Sequence, residues 1–258
     1  MSRIMTHMVS FYPDRDRSMA VAEGLIAGGA TYLEVQFPFS DPTADGPVIQ
    51  AACQHALEAG FTVGQGLSFV SELRNRFDTP IFIMTYASLI FARGVRDFLT
   101  AGRDAGAAGF ILPDLPLDYD EGAYEIGDEI GTTVMPVTVT SMNEDRFRLL
   151  EQHHPAYLYV ALRRGITGDR TDLSGEHLGF LDRLRTLETK VFAGFGISER
   201  AQVKVLDPHV HAAVVGSALV RSVTHAVTRT AKLSPAQSGD EIRKVLTAQV
   251  RELAGETD

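Results

Sequence analysis

The stretch that decides the fold runs from residue 31 to residue 58 and reads TYLEVQ (31–36), FPFSDPTADG (37–46) and PVIQAACQHALE (47–58). The first segment favours a β-strand, with alternate side chains on opposite faces. The last segment has apolar residues at spacings of three and four, which indicates one buried helical face. A loop stiffened by two prolines joins them. The stretch therefore predicts one unit of strand, loop and helix.

The same alternation repeats along the whole chain. Eight candidate strands cover residues 4–10, 31–36, 81–86, 109–113, 133–137, 156–161, 190–193 and 212–215. Helical segments between them include 15–27, 47–58, 94–105, 143–153 and 199–206, and two extra helices are predicted at 63–77 and 234–253. Eight such units in 258 residues predict an α/β fold, a single (β/α)8 TIM barrel with extra helices, as one domain over residues 1–258. A doubly wound open sheet would show the same alternation and remains the alternative.

Composition narrows the class of protein. Hydrophobic residues make up 45% and charged residues 22%, as in ordinary globular proteins. The net charge of −9, without a basic block, argues against a nucleic-acid partner. We find neither a secretory leader nor an apolar run of about 18 residues, so a cytoplasmic protein without a transmembrane helix is expected. The lone cysteine, Cys53, lies in an apolar stretch and is predicted to be a buried thiol.

A carboxylate in the second predicted strand is the first candidate for catalysis. Glu34 shares one strand face with Tyr32 and Gln36. A carboxylate there is costly to bury unless it is paired or serves a purpose. Glu34 is therefore either bonded to a buried amide or arginine, or a general acid/base whose pKa is raised by apolar surroundings.

The loop after this strand supplies further acids. Asp45 either caps the helix that begins near Pro47, or places a second carboxylate at the same rim of the barrel. Two carboxylates in different environments can divide acid and base roles. For Asp41, a structural or interface role is favoured over catalysis.

Glycines after the last two strands indicate a phosphate site. The loops AGFGIS (193–198) and GSA (216–218) expose backbone N–H groups where a helix begins, at Gly196, Gly216 and Ser217. The alternative is that these glycines only form turns. The long polar loop at 163–175 is predicted to close over a ligand with Thr167 and Gly168. No metal-binding or serine-nucleophile motif is present.

Two tyrosines complete the set of candidates. Tyr86 and Tyr159 lie in or at the end of the third and sixth predicted strands. Each either presents a hydroxyl at the rim or packs in the core.

Several of these segments, in the same order, resemble the tryptophan synthase alpha chain family. The matching segments are LE (33–34), PFSDP (38–42), ADGPVIQ (44–50), MTY (84–86), PDLP (113–116), Arg163 with GITG (165–168), GFGIS (194–198) and GSA (216–218). The resemblance covers nearly the whole barrel, and the block from 34 to 50 is its most specific part.

The resemblance implies a retro-aldol cleavage of indole-3-glycerol phosphate to indole and glyceraldehyde 3-phosphate, within tryptophan biosynthesis. Glu34 would handle the proton at the indole carbon that bears the side chain, and Asp45 would accept the indole N–H. Tyr86, Tyr159 and Thr167 would contact the substrate. The phosphate cradle would be formed by the amides of Gly168, Gly196, Gly216 and Ser217.

The family also implies a partner and no cofactor on this chain. The partner is a beta chain that carries pyridoxal phosphate, in an alpha2beta2 complex. The expected contact residues are Asp41, Pro42, Thr43, Ser88 and Asp114.

The sequence departs from the family pattern at several places. Gln36 and Phe11 stand where the family has glycine, Leu162 where it has serine, and Thr43 and Ser88 also differ. The family's N-terminal helix is expected to be missing. Two alternatives follow: a catalytically weak barrel that binds and activates a beta chain, or a stand-alone lyase for a related phosphorylated substrate.

Overall fold

The computed structural model describes residues 1–162 and 173–256, which contain nine strands and eleven helices. The strands are β1 (Ile4–Val9), β2 (Tyr32–Gln36), β3 (Ile81–Met84), β4 (Gly109–Ile111), β5 (Thr133–Met135), β6 (Val137–Val139), β7 (Tyr157–Ala161), β8 (Lys190–Gly194) and β9 (Ala212–Val215). The helices are α1 (Arg15–Ala27), α2 (Pro47–Glu58), α3 (Val63–Arg76), α4 (Ala87–Arg93), α5 (Val95–Asp104), α6 (Ala123–Ile130), α7 (Glu144–His153), α8 (Gly175–Arg185), α9 (Arg200–Leu206), α10 (Ser217–Arg229) and α11 (Pro235–Ala254).

All strand pairs are parallel, in the order β5-β4-β3-β2-β1-β9-β8-β7-β6. The two end strands are neighbours in sequence, on either side of Pro136. They represent the fifth predicted strand, divided in two because proline has no N–H to donate to the ladder. The Pro136 carbonyl still accepts a hydrogen bond from Tyr159 N–H at 2.9 Å. The barrel prediction is therefore confirmed, and the open sheet is wrong.

The two faces of each strand contribute to different cores. In β2, Leu33 and Val35 face the layer of helices, whereas Tyr32 faces the barrel interior. Glu34 and Gln36 share the inward face with Tyr32, as the alternation predicts.

Aromatic side chains fill the barrel near the starts of the strands. Tyr32 packs edge-to-face on Phe192 at 5.0 Å and donates to or accepts from His211 Nε2 at 2.8 Å. Phe82 packs against Tyr157 at 5.8 Å. Since this end is closed by rings, the space inside the barrel lies at the opposite end, where the strands finish.

The loop after β1 has an unusual backbone. Phe11, at a position where the resemblance expects glycine, has a φ of +66°, in the left-handed region that favours glycine. Its ring is buried and packs edge-on against Phe61 at 5.4 Å. Burial of the ring offsets the strain of the backbone.

Among the described residues, no helix is both long and apolar enough to cross a membrane.

Candidate active site

A cavity opens at the carboxyl ends of the strands. Side chains and backbone from several strands and loops form the rest of its lining, apart from an apolar wall. These residues are His7, Glu34, Asp45, Tyr159, Gly196, Gly216 and Ser217. The apolar wall consists of Ile49, Met84, Ile111, Pro113, Val137, Phe195, Ile197 and Val214. The structure thus brings the two predicted acids and the predicted glycine loops to one place.

Glu34 is held by a histidine on the neighbouring strand. The β1–β2 register places His7 directly beside Glu34, and His7 Nδ1 lies 3.1 Å from Glu34 Oε1. Both side chains are buried, with exposed fractions of 4% and 3%. The expectation that a structural Glu34 would bond to an amide or arginine is not met, because its partner is His7.

Asp45 is held by two donors on its other side. Gln36 Nε2 donates to Asp45 Oδ2 at 2.7 Å, and the Tyr86 hydroxyl donates to the same oxygen at 2.8 Å. The Tyr86 hydroxyl also accepts from the backbone N–H of Ala44 at 3.1 Å, which fixes the loop around Asp45. The N-cap of α2 is Gly46, without a side-chain cap bond. The interpretation of Asp45 as a helix cap is therefore wrong.

Burial and neighbouring charges shift the pKa values of Asp45, His7 and Tyr159 in the cavity. Burial raises the pKa of Asp45, although the nearby His7 and the hydrogen bonds from Gln36 and Tyr86 oppose the shift. For His7, burial lowers the pKa, but the carboxylates of Glu34 and Asp45 together with the hydrogen bonds outweigh it, and the net shift is upward. Burial and both carboxylates raise the pKa of Tyr159, so its hydroxyl stays protonated.

The glycine loops lie in the cavity wall on the far side of β1 from Glu34, since β9 pairs with β1 and a Cβ on Gly216 would lie 3.5 Å from the Cβ of His7. Helix α10 begins at Ser217 with Gly216 as its N-cap, and no side chain of the described residues caps it. Its N-terminal end therefore faces the cavity with the positive end of the helix dipole. At α9 the situation differs, because Gln202 Oε1 accepts from the N–H groups of Ser198 and Glu199.

A close contact explains the glycine that ends β8. A Cβ on Gly194 would lie 2.8 Å from the Cβ of Val214 and 3.1 Å from the Tyr159 hydroxyl. Glycine at this position leaves room for Tyr159 in the cavity wall.

The remaining candidates fall in three groups. Tyr86 is buried behind Asp45 and contacts the cavity through that carboxylate. Thr167 and Gly168 lie outside the described residues. Leu162, at the end of β7, is buried in the core between strands and helices.

The predicted interface residues follow β2, β3 and β4, and all but one are exposed. Asp41, Thr43, Ser88 and Asp114 are exposed, whereas Pro42 is buried. The Asp114 carboxylate accepts from the backbone N–H of Ala87 at 2.9 Å, next to Ser88.

His7 is the site residue that the sequence reasoning missed. A histidine in a mostly apolar strand, adjacent to the strand of Glu34, was the available signal. Within residues 1–162 and 173–256, no group of three or more His, Cys, Asp or Glu side chains is placed to hold a metal ion.

Together, the closed parallel barrel and the buried acids at the carboxyl ends of its strands define a (β/α)8-barrel enzyme. The model of the family "Tryptophan synthase alpha chain" matches residues 2–247. The tryptophan synthase alpha chain of Desulforapulum autotrophicum is 35% identical over 221 residues, covering 85% of this chain and 87% of that protein. That of Helicobacter hepaticus is 34% identical over 240 residues, covering 90% of each. The chain belongs to the tryptophan synthase alpha chain family.

Solved structures agree with this assignment. A chain of the a2b2 tryptophan synthase complex from Pyrococcus furiosus superposes with a TM-score of 0.84 at 27% identity, covering 98% of both chains. A chain of tryptophan synthase from M. tuberculosis, in its aminoacrylate-bound form, gives a TM-score of 0.81 at 25% identity, covering 98% of this chain and 92% of that one.

Proposed function

We propose that this chain is a lyase that cleaves indole-3-glycerol phosphate to indole and glyceraldehyde 3-phosphate. The observation that carries the proposal is the meeting of Glu34 and Asp45 in one cavity, each with different bonding partners. Two carboxylates with separate partners suit a reaction that needs a proton donor and a charge-stabilising acceptor at different atoms.

The proton steps can be assigned to these groups. Glu34 protonates the ring carbon that bears the side chain, and Asp45 accepts the indole N–H and stabilises the positive charge on the ring. The bond between ring and side chain then breaks, and its electron pair returns to the ring. Glu34, now ionised, takes the proton of the side-chain hydroxyl as the carbonyl of glyceraldehyde 3-phosphate forms. The carboxyl is thereby restored.

The phosphate group is assigned to the two glycine loops that follow β8 and β9. Gly216, Ser217 and Gly196 line the cavity there, and the N-terminus of α10 favours an anion. This arrangement needs no basic side chain, which suits a protein with a net charge of −9.

The hydrogen bond from Gln36 to Asp45 supports a catalytically active site. Gln36 lies behind Asp45 and donates to it, rather than lining the cavity. Gln36 therefore supports the Asp45 carboxylate. Its presence does not favour the alternative of a barrel that only binds a partner.

We also propose a beta-chain partner bound at the surface of Asp41, Thr43, Ser88 and Asp114. These residues are exposed on the segments that follow β2, β3 and β4, next to the cavity-lining residues Asp45 and Pro113. A partner bound there would receive indole without its release to solvent. The similar chains from P. furiosus and M. tuberculosis come from tryptophan synthases.

The test is indole release from indole-3-glycerol phosphate by the purified chain, with and without a tryptophan synthase beta chain. We expect indole in both conditions and faster release with the beta chain. No indole in either condition, while Glu34→Gln and wild type bind the beta chain equally well, would overturn the lyase and favour a binding role.

A further inference from the structure

His7 has a place in the cavity that the proposed reaction leaves unused. It is buried, lines the cavity and contacts Glu34 Oε1 through Nδ1 at 3.1 Å. Its Nε2 atom and Glu34 Oε2 have no hydrogen-bond partner in the part of the chain that the structure describes. Buried polar atoms without partners are rare and energetically unfavourable. Both atoms can therefore still form a hydrogen bond with a ligand at the cavity wall.

His7 can also carry a charge opposite in sign to that of the two carboxylates in the cavity. Among the described residues that line the cavity, it is the one that can become positively charged. The titratable groups that influence it or line the cavity are Glu34, Asp45 and Tyr159, and Tyr86 lies behind Asp45. Both tyrosines remain neutral because burial raises their pKa values, so proton exchange near His7 is confined to the two carboxylates.

The geometry of the contact limits how the proton is arranged. Nδ1 and Oε1 are close enough for a hydrogen bond, and the pair can then hold one exchangeable proton, either on the ring as an imidazolium or on the carboxyl at Oε2. With Oε1 held in this way, Oε2 is the oxygen of Glu34 left for a substrate.

We propose that His7 and Glu34 act as one acid/base unit holding a single exchangeable proton, in which His7 is a positioning residue that fixes Oε1 and leaves Oε2 for the substrate. This inference rests on the proposed lyase function for its kinetic consequences. The shared proton itself is testable without turnover.

The first test is a ¹⁵N NMR titration of the histidine side chains, with His7→Asn used to assign the His7 signals. We expect the His7 titration midpoint to lie at least one pH unit lower in Glu34→Gln than in wild type, because an adjacent carboxylate favours the charged ring by about 1–3 units. Equal midpoints in the two proteins would overturn the shared proton.

The second test compares two replacements of His7 by steady-state kinetics. His7→Phe keeps a buried ring without any hydrogen bond, and we expect kcat to fall on the order of 100-fold with KM changed less than about threefold. His7→Asn can still donate to Oε1 but cannot titrate, so we expect a smaller loss, of about tenfold. Its alkaline limb of kcat should move to lower pH, since one of two sites for the shared proton is gone.

A matched control comes from the other end of the barrel. His211 bonds to the Tyr32 hydroxyl among the aromatic rings, away from the cavity. His211→Asn should keep the wild-type kcat and pH profile, which shows that the effects at His7 are local.

The outcomes separate this inference from the proposed function. If wild type releases indole but His7→Phe keeps its kcat, or His7→Asn keeps the wild-type alkaline limb, the inference is wrong and the lyase stands. If wild type releases no indole, the lyase is wrong and the NMR titration alone decides whether the pair shares a proton.

Discussion

Replacing Gln36 by leucine should remove a hydrogen bond from the Asp45 carboxylate and raise the pKa of that carboxyl. Gln36 is fully buried, and its amide donates to Asp45 Oδ2 at 2.7 Å. Leucine has a similar size and cannot donate. A hydrogen bond to a charged group contributes about 1.5–3 kcal/mol, which corresponds to about 1–2 pKa units. Because burial already raises the pKa of Asp45, we expect Gln36→Leu to raise it by that further amount.

Two assays follow from this shift. In the dependence of kcat/KM on pH, the acid limb should move upward by about 1–2 units. A carboxyl whose pKa is raised in the folded state stabilises the protein at low pH. In urea unfolding, this contribution to the unfolding free energy is lost as pH rises through the folded pKa. The loss should be larger in Gln36→Leu, so its deficit in unfolding free energy relative to wild type should be greater at a pH well above the ordinary aspartate pKa of about 3.9 than at a pH below it, by up to about 1.5–3 kcal/mol.

The chain offers a matched control for this experiment. Gln50 Nε2 donates to the backbone carbonyl of Asp45 at 2.8 Å, not to its carboxylate. Gln50→Leu should leave the acid limb in place. If Gln36→Leu also leaves the limb unmoved and its stability deficit is the same at both pH values, the assignment of Gln36 as a support for the Asp45 carboxylate is refuted.

Three further predictions concern other parts of the site. Tyr86→Phe removes the second donor to Asp45, and kcat/KM should fall about tenfold, as for a hydrogen bond to a charged group; an unchanged value would contradict the role of this bond. At Gly216, a methyl group would meet its nearest atom at 3.5 Å, so Gly216→Ala should fold normally and raise KM several-fold with little change in kcat. An unchanged KM would count against the phosphate site. Burial raises the pKa of Cys53 to about 12, so a disulfide reagent should modify it only after unfolding, and rapid reaction of the folded protein would contradict its buried setting.

The parts of the fold that follow a regular period were predictable from the sequence. The bounds of α1 and α2 match the predicted segments. Helix α2 buries one face at helical spacing, whereas α1 is buried on several sides because α11 also packs against it. The short helix α4 (Ala87–Arg93) was not predicted, since seven residues give less than two full turns of pattern. The division of the fifth strand follows from Pro136, which lies within the predicted segment.

The site was predictable where residues follow strands, and not where it depends on pairing between strands. Glu34, Asp45 and the glycine loops come at the carboxyl ends of predicted strands, and barrel topology alone brings them together. His7 reaches Glu34 through the register of β1 against β2, which no local pattern contains. The bond from Gln36 to Asp45 depends on how the loop folds back over its own strand, and in the sequence Gln36 was only a departure from the family's glycine, one of those behind the alternative of a catalytically weak barrel.

In the proposed reaction, the buried carboxyl of Glu34 moves the proton that releases indole. The most direct measurement is the rate of indole release from indole-3-glycerol phosphate by Glu34→Gln and wild type, both with the same far-UV circular dichroism. We expect the variant to be slower by a factor on the order of 100 to 10,000, the usual contribution of a general acid/base. A Glu34→Gln variant that releases indole at the wild-type rate would contradict the account.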